Sequence, residues 1–170
     1  MKSLSRLCFV ACFFALTVCA AWAGQEEAAI EKLITGSARA MTDFPRTRDF
    51  GSVSKYYAED YTGINDGEWE TMEDVKKTFS DLEQQLDLGS PVGISYRLAD
   101  IRVHVTGATA WATYDFSARI GVAGEPLVEE EGKCTGIYRK KGASWTIQHE
   151  HCSSKNEAGP EERNNPLETI

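Results

Sequence analysis

Two histidines near the end of the chain are the first candidates for chemistry. His149 and His151 stand two positions apart in Ser144–Ser153, a segment rich in β-forming residues. Strand alternation places both imidazoles on one face, about 6–7 Å apart, and imidazole is a general base near neutral pH. Three interpretations stay open: a catalytic or ligand-binding pair, a hydrogen-bonded core histidine, and a metal site. No metal site is assigned, because a third ligand is needed and His104 falls on the opposite parity.

A group of aromatic residues is the second candidate. Tyrosine hydroxyls suit the few polar positions of an otherwise apolar pocket. The predicted ligand-binding residues are Tyr57, Tyr61, Trp69, Tyr114 and Phe116. For each of them taken singly, a place in the hydrophobic core without any ligand is the alternative.

Carboxylates are weaker candidates for acid–base work. Asp66 precedes Gly67 between two short apolar pieces, which is typical of a hairpin turn. Asp115 falls on a polar parity and is expected to face solvent, and Asp60 suits the corner between a helix and a strand. The run Glu129–Glu131 is interpreted as a solvated strand edge that discourages aggregation.

Composition limits the class of protein. The chain has 170 residues, 42% of them hydrophobic and 26% charged, and a formal net charge of −8. This length and composition predict one globular domain that needs no metal to fold. The acidic balance argues against a nucleic-acid partner, since phosphate binding requires a basic surface. No cofactor motif is present, so no cofactor is predicted.

The N-terminus has the layout of a secretory signal peptide. Lys2 and Arg6 provide a positive start, Leu7–Cys19 is an apolar run, and Ala21–Ala23 is a small-x-small tripeptide. We therefore predict a signal peptide at residues 1–23, cleaved after Ala23. The protein is then exported and is either periplasmic or secreted.

Two other interpretations of the N-terminus stay open. The first is a retained membrane anchor, but an apolar run of about 13 residues is too short for a helix to cross roughly 30 Å of hydrocarbon. The second is a lipoprotein acylated at Cys19, for which Val18 is an awkward preceding residue. We expect no membrane span once the signal peptide has been removed.

Cysteine usage agrees with export. Only Cys134 and Cys152 remain after cleavage, and a pair of cysteines in an oxidising compartment indicates a disulfide. Closing such a loop would stabilise the fold by roughly 3 kcal/mol. With Ile137 pointing inward, both cysteines would lie on the outer face of one hairpin, offset by about two residues. Two separate thiols are the alternative.

Periodicity divides the mature chain into a helical half and a strand half, so the fold class is α+β. Helices are expected first, the initial one ending at Pro45 and the last capped by Thr71 and Asp74. The predicted elements are helices at 25–43, 50–58 and 72–86 and strands at 94–106, 108–121, 127–140 and 144–153. Residues 155–170 are polar and are predicted to be a flexible C-terminal tail.

Alternation predicts which strand residues face the helices. The more apolar set in the second strand is expected inside; it comprises Ala110, Ala112, Tyr114, Phe116 and Ala118. Trp111 then lies on the outer face. In the last strand Trp145 and Ile147 require the core, so His149 and His151 are expected to continue that inner face.

Four phrases of the sequence resemble a known family. They are 57–64 (YAEDYTGI), 110–114 (AWATY), 135–140 (TGIYRK) and 145–153 (WTIQHEHCS). Together they resemble the SnoaL-like branch of the nuclear transport factor 2-like superfamily, and the last phrase contributes most. The resemblance extends over about residues 26–154, so a SnoaL-like domain is assigned to residues 24–154.

The resemblance implies a fold and a range of functions. The fold would be a cone, in which a curved antiparallel sheet wraps around about three N-terminal helices and leaves a pocket at the open end, usually within a homodimer. Members include isomerases, dehydratases, hydrolases and domains without chemistry, so the fold alone does not select a reaction. We expect a small, largely apolar ligand in the cone, with proton-transfer chemistry if the protein is an enzyme. The alternative is a non-catalytic association domain with a filled pocket.

Overall fold

A computed structural model describes the backbone of residues 4–155 and the side chains of residues 24–155. Three helices and six strands follow one another along the chain. They are α1 (Leu4–Thr47), α2 (Phe50–Ser54), β1 (Tyr57–Asn65), β2 (Glu68–Thr71), α3 (Met72–Asp87), β3 (Val92–Thr106), β4 (Thr109–Val122), β5 (Glu125–Lys141) and β6 (Ser144–Ser154). The α+β class is therefore confirmed. The predicted C-terminal tail falls, apart from its first residue, outside the described residues.

The helical half follows the predicted caps, with one difference at α1. Thr71 and Asp74 form a reciprocal capping box at the start of α3, as expected. Helix α1 continues past Pro45 to Thr47. A proline in the last turn removes a single hydrogen bond of the helix, so α1 continues for two residues beyond Pro45. Arg48, which follows the helix, has a φ of 53°.

The six strands form one open, curved sheet in the order β2-β1-β6-β5-β4-β3. Every neighbouring pair is antiparallel except β1 and β6, which run parallel. Asp66 and Gly67 make the turn between β1 and β2, as predicted. Register shifts interrupt several ladders, including the one between Ala99 and Arg102 on β3. Such irregularities bend strands, which lets the sheet curve around the helices.

The core lies between the inner face of this sheet and helices α1 and α3. The predicted inner set of β4 is confirmed, since its five members, at alternate positions from Ala110 to Ala118, are all buried. Helix α1 contributes Ile30 and Phe44 to the same core, and α3 contributes Phe79 and Leu82. Burial of this kind is the main stabilising term, at about 25 cal/mol for each Å² of apolar surface removed from water.

On β5 the predicted parity is wrong. Cys134 and Tyr138 are buried at 2% and 0% exposure, whereas Ile137 is 40% exposed on the outer face. Gly136 explains the preference, because its missing side chain leaves the space that the Tyr138 ring fills: a Cβ there would lie 2.3 Å from the Tyr138 hydroxyl. Burying the larger tyrosine ring removes more surface from water than burying isoleucine.

On β6 a bulge corrects a second expectation. Tyr138 pairs with Ile147, but the adjacent Ile137 pairs with His149, so Gln148 is an extra residue. An extra residue reverses the alternation beyond it. As a result Glu150 turns inward, and His149 and His151 face outward instead of continuing the inner face of Ile147.

The two cysteines lie directly opposite one another on β5 and β6. Cys134 pairs with Cys152, their Cα atoms are 4.1 Å apart, and the two sulfurs are at disulfide distance. The predicted pairing is thus compatible with the fold. The predicted location is wrong in two respects: there is no two-residue offset, and the pair lies on the inner face.

Candidate functional site

A cavity of about 290 Å³ lies between α3 and the inner face of the sheet. Its walls are mostly apolar and include Phe79 of α3, Phe116 of β4 and Val128 of β5. Polar groups enter at a few points, chiefly as three glutamates and three tyrosines: Glu70, Glu130, Glu150, Tyr57, Tyr61 and Tyr96. An apolar cavity with a few convergent polar groups is the usual form of a small-molecule site.

Glu150 is the central polar group of this cavity. Its carboxylate accepts hydrogen bonds from the hydroxyl of Tyr114 at 2.5 Å and, more weakly, from that of Tyr61 at 3.4 Å. Burial raises the pKa of Glu150 above its ordinary value of 4.5; the Tyr114 hydrogen bond opposes this, and the neighbouring charge of Glu70 adds to it. A carboxyl with a raised pKa in a cavity is a candidate acid or base.

Two glycines flank Glu150 and leave room for its phenol neighbours. Gly63 of β1 and Gly136 of β5 are its direct partners on the two adjacent strands. The hydroxyl of Tyr61 lies 2.8 Å from where a Gly63 Cβ would stand, and the Tyr138 hydroxyl occupies the corresponding place over Gly136 at 2.3 Å. Any larger residue at either glycine would push a phenol away from the carboxylate.

Glu70 approaches the same place from β2. Its Oε2 lies 3.3 Å from the position of a Gly63 Cβ, close to the point that Tyr61 also reaches. Burial raises the pKa of Glu70, and the charge of Asp74 adds to the effect. Glu130, expected to lie on a solvated edge, instead lines the cavity and is only half-exposed.

The tyrosines around these carboxyls remain protonated. Burial raises the pKa of Tyr57, Tyr96 and Tyr114 well above the usual value for a phenol, and the charge of Glu150 raises each of them further. They therefore keep their protons at any physiological pH. The rings also form part of the wall, with Tyr57 against Tyr61 edge-to-face at 4.8 Å between centroids.

The predicted aromatic residues divide into three groups. Tyr57, Tyr61 and Phe116 line the cavity. Tyr114 is buried behind the lining and reaches the cavity through its bond to Glu150. Trp69 is 70% exposed and does not line the cavity, since it points away from the sheet's inner face beside His149.

The two histidines predicted as catalytic lie outside the cavity, because the bulge at Gln148 turns them to the outer face. The Nδ1 atom of His149 is 2.9 Å from the Thr62 hydroxyl, and its ring lies 6.4 Å from that of Trp69. His151 is exposed. Neither imidazole is placed to act on a molecule in the cavity.

Sequence reasoning missed Glu150 and Glu70. A signal for Glu150 was nonetheless present, because a disulfide partner of Cys134 must share its face while Ile147 must be buried. Cys152 lies five positions after Ile147, and an odd spacing places the two residues on opposite faces of a regular strand. Once Tyr138 and not Ile137 is placed inward on β5, Cys134 faces inward too, and both requirements are then met only if one residue between Ile147 and Cys152 is inserted as a bulge.

The outer face of the sheet forms a second feature. One row of cross-strand partners runs through His104, Trp111, Ile137 and His149 on four neighbouring strands. Trp111 is 45% exposed, as its parity predicted, and its indole stacks on His104 with centroids 4.2 Å apart. With Trp69, this row presents an exposed apolar surface.

Two further searches concern the described residues only. No set of three His, Cys, Asp or Glu side chains converges as a metal site would require among residues 24–155. Among the described helices, none is both long enough and apolar enough to span a membrane. A larger groove of about 1030 Å³ follows α1, but its three basic residues, Lys32, Arg39 and Lys55, are all exposed.

Comparison with solved structures shows the same fold in several proteins. A nuclear transport factor 2-like protein of unknown function from Pseudomonas putida is 23% identical, with a TM-score of 0.55 over 76% of this chain and 87% of that one. A protein provisionally named a scytalone dehydratase, from Novosphingobium aromaticivorans, is 15% identical, with a TM-score of 0.61 over 76% of this chain and 83% of that one.

A third structure with this fold is the β subunit of benzoate 1,2-dioxygenase from Burkholderia mallei. It is 10% identical, with a TM-score of 0.63 over 76% of this chain and 90% of that one. At these identities the likeness concerns the fold alone. No protein with a curated description matches the sequence.

The family follows from the sequence directly. A family model described as the SnoaL-like domain matches residues 30–157, which is most of the chain. The matched range includes β1 to β6, and with them the cavity and all three of its glutamates. This protein belongs to the SnoaL-like family of the nuclear transport factor 2-like superfamily.

Proposed function

We propose that this protein binds a small, largely apolar molecule in the cone cavity and exchanges a proton with it through Glu150. The observation that supports this proposal is the Glu150 carboxyl, which is held by two phenols in an apolar cavity and has a raised pKa. A carboxyl in such an environment takes up and releases a proton more readily near neutral pH than an exposed glutamate does.

The proposed role of Glu150 follows from its hydrogen bonds. As the carboxylate it would accept a proton from the bound molecule, while the hydroxyls of Tyr61 and Tyr114 stabilise the charge before the transfer. As the carboxylic acid it would return the proton to another atom of the same molecule. This sequence suits an isomerisation or a dehydration, and the structural neighbour provisionally named a dehydratase is in keeping with it.

The first test is native mass spectrometry of the protein purified from its own host, followed by denaturation. We expect the native spectrum of the wild-type protein to show a bound small molecule that is released on denaturation. Filling the cavity with Ala118→Phe should abolish retention, whereas Leu127→Phe, at an exposed apolar position, should not. Equal retention by both variants would place the molecule elsewhere and contradict the proposal.

The proton-transfer step has a separate test. Once the molecule is identified, its incorporation of deuterium in D₂O is followed by mass spectrometry with wild type and with Glu150→Gln. General acid–base catalysis predicts a loss of about 10²-fold or more in the exchange rate. Glu131→Gln, an exposed neighbour of the lining residue Glu130, is the matched control. Unchanged exchange in Glu150→Gln would overturn the role of Glu150.

Association is the second candidate function, favoured by the outer sheet face. We propose that two copies of the chain pair through this face, which would cover Trp69, Trp111 and Ile137. Light scattering after size-exclusion chromatography should give twice the monomer mass for wild type and the monomer mass for Trp111→Lys. Leu127→Lys is the control. A monomeric wild type at micromolar concentration would contradict this pairing.

Export is proposed on the signal-like N-terminus together with the cysteine pair. Removal of residues 1–23 would leave the described contacts of α1 intact, including the bond from the Trp145 indole nitrogen to Glu26 at 2.6 Å. N-terminal sequencing of protein from the host should therefore begin at Gly24. A sequence beginning at Met1 would refute the cleavage, and one beginning at an acylated Cys19 would indicate a lipoprotein instead.

A further inference from the structure

The cavity is lined by acidic side chains without basic ones, whereas many acidic side chains elsewhere on the surface are paired with basic ones. Three carboxyls, from Glu70, Glu130 and Glu150, line it, while none of its lining residues is Lys, Arg or His. Like charges confined to one low-dielectric space repel one another. When these carboxyls are ionised, the cavity therefore carries an excess of negative charge that no lining residue balances.

Elsewhere in the described part of the chain, many carboxylates have a cationic partner. Asp115 pairs with Lys133 at 2.5 Å, Asp87 with Arg48 at 2.5 Å, and Glu26 with Lys140. Among residues 24–155, neither Glu70 nor Glu150 forms such a pair. Isolating carboxyls from cations is costly in a buried place, since an unpaired charge there loses its hydration without compensation.

A second observation points to a missing group at this place. The Tyr138 hydroxyl is fully buried beside that of Tyr114 and forms no hydrogen bond of regular geometry among the described atoms. It lies over Gly136, the cross-strand partner of Glu150, so it borders the carboxyl from the side opposite Tyr61. Buried hydroxyls without a regular partner are rare, and this one leaves unmet hydrogen-bonding capacity next to the Glu150 carboxyl, directly behind the cavity wall.

The surrounding rings complete a site of recognisable chemistry. Tyr57, Tyr61, Tyr96 and Phe116 present aromatic surface around the carboxyls, with Tyr96 and Phe116 stacked at 6.2 Å between centroids. Carboxylates together with aromatic faces form the usual environment of a bound organic cation. A divalent metal ion fits less well, since no metal-binding set of side chains converges among residues 24–155.

We propose, on the basis of the small-molecule function above, that the molecule bound in the cavity is an amine with an apolar body. Its ammonium group lies between Glu150 and Glu70, donates hydrogen bonds to their carboxylates, and places its carbon skeleton against the aromatic wall. The positive charge offsets the repulsion between the two glutamates. Anionic molecules of the same shape are excluded by that repulsion.

The test uses three molecules of nearly the same shape and different charge: 2-phenylethylamine, 2-phenylethanol and phenylacetate. Isothermal titration calorimetry of the full-length protein at neutral pH measures their affinities. We expect the amine to bind at least about tenfold more tightly than the alcohol, which corresponds to one charge-assisted hydrogen bond. Phenylacetate should give no measurable heat of binding.

Two variants identify the groups responsible. Glu150→Gln and Glu70→Gln each keep the shape of the side chain, and each should weaken amine binding by about tenfold while leaving alcohol binding within about twofold. Glu131→Gln, exposed on β5, should change neither affinity. Using two variants guards against a folding defect in one of them.

The outcomes separate this inference from the function on which it rests. Equal binding of amine and alcohol to wild type would overturn the inference and leave a small-molecule site for neutral ligands. Loss of alcohol binding in Ala118→Phe would then still support that site. Failure of all three molecules to bind would overturn the amine proposal and count against the small-molecule function as well.

Discussion

The two faces of β6 carry neighbouring ionisable residues in opposite environments. On the outer face His149 is half-buried, bonds to the Thr62 hydroxyl and lies beside an exposed tryptophan. On the inner face Glu150 lies between two glycines, accepts two phenol hydrogen bonds and has a raised pKa. A single bulge residue, Gln148, decides which of the two enters the cavity. Which of these ionisable side chains faces the cavity therefore depends on strand register more than on residue type.

The same comparison extends to the whole sheet. The outer face exposes apolar side chains with few hydrogen-bonding demands, as an association surface does. The inner face buries polar side chains next to apolar ones, which costs stability unless those groups are fully hydrogen-bonded or paired. An imbalance of this kind is typical of functional sites, where stability is lost in exchange for reactivity.

Deleting Gln148 together with His149 should have the largest effect on this comparison. Regular alternation from the buried Ile147 would then turn Glu150 and Cys152 outward and His151 inward. We expect loss of ligand binding, free thiols on denaturing alkylation, and a large fall in thermal stability. Deleting Gln148 alone removes the bulge but keeps the present faces of β6, so it is the control. A double-deletion variant that retains an intact disulfide would contradict the role of strand register in placing Glu150.

Breaking the disulfide should have the next largest effect. Cys152→Ser removes the link between β5 and β6 next to Glu150, and a closed loop with a separation of 18 residues is worth about 3 kcal/mol. Urea unfolding with and without reductant measures the loss. Cys134→Ser should give a similar value, because both changes open the same loop. If reductant does not change the urea unfolding of the wild-type protein, the two cysteines are separate thiols.

Replacing Glu150 by Gln should raise stability in a pH-dependent way. The pKa of Glu150 is raised above its ordinary 4.5, so its contribution is fully favourable below pH 4.5 and is lost as the pH rises through the folded-state pKa. Glutamine has no such dependence. The variant should therefore be more stable than wild type at pH 8, by about 1.4 kcal/mol for each unit by which the pKa is raised, and the difference should shrink toward pH 4.5.

Thermal unfolding of both proteins across this pH range measures the effect. Glu131→Gln, at an exposed position of β5 next to the lining residue Glu130, should show no comparable gain in stability. A Glu150→Gln variant less stable than wild type at pH 8 would mean that the two phenol hydrogen bonds outweigh the cost of burying the charge.

Replacing the outer histidines should have the smallest effect. His151→Ala removes an exposed side chain and should change stability by less than about 0.5 kcal/mol. His149→Ala removes the contact with Thr62 and should cost about 1 kcal/mol. Both variants should bind the cavity ligand like wild type, as measured by calorimetry. A loss of binding in either would return the histidines to the site and contradict the distinction between the faces.

Much of the fold could be predicted from local sequence patterns. The turn at Asp66 and the cap at Thr71 are each set by a few adjacent residues, and both are where the sequence predicted them. The inner set of β4 was equally clear, because small and aromatic residues alternate with polar ones throughout Ala110–Ala118. These features need no knowledge of distant parts of the chain.

The residues of the candidate site could be predicted from the sequence only in part. Tyr57, Tyr61 and Phe116 were identified as candidate lining residues and do line the cavity, whereas Glu70 and Glu150 were not identified. The missed residues lie on a strand interrupted by a bulge and on a strand of four residues, where alternation carries little information. On β5, isoleucine looked more suited to the core than tyrosine until the space above Gly136 was known.

The sequence by itself determined the order of the helical and strand halves, the inner face of β4 and the family, although the helix predicted at 50–58 ends at Ser54 and gives way to β1 at Tyr57. Only the tertiary structure decided which face of β6 meets the cavity and which carboxyl becomes unusual. The reason is one of range: turns, caps and alternation depend on neighbours in the chain, whereas the environment of Glu150 is made by Tyr61, 89 positions away, and by Tyr114, 36 positions away. Burial by distant groups, and not the residue's own type, raises its pKa.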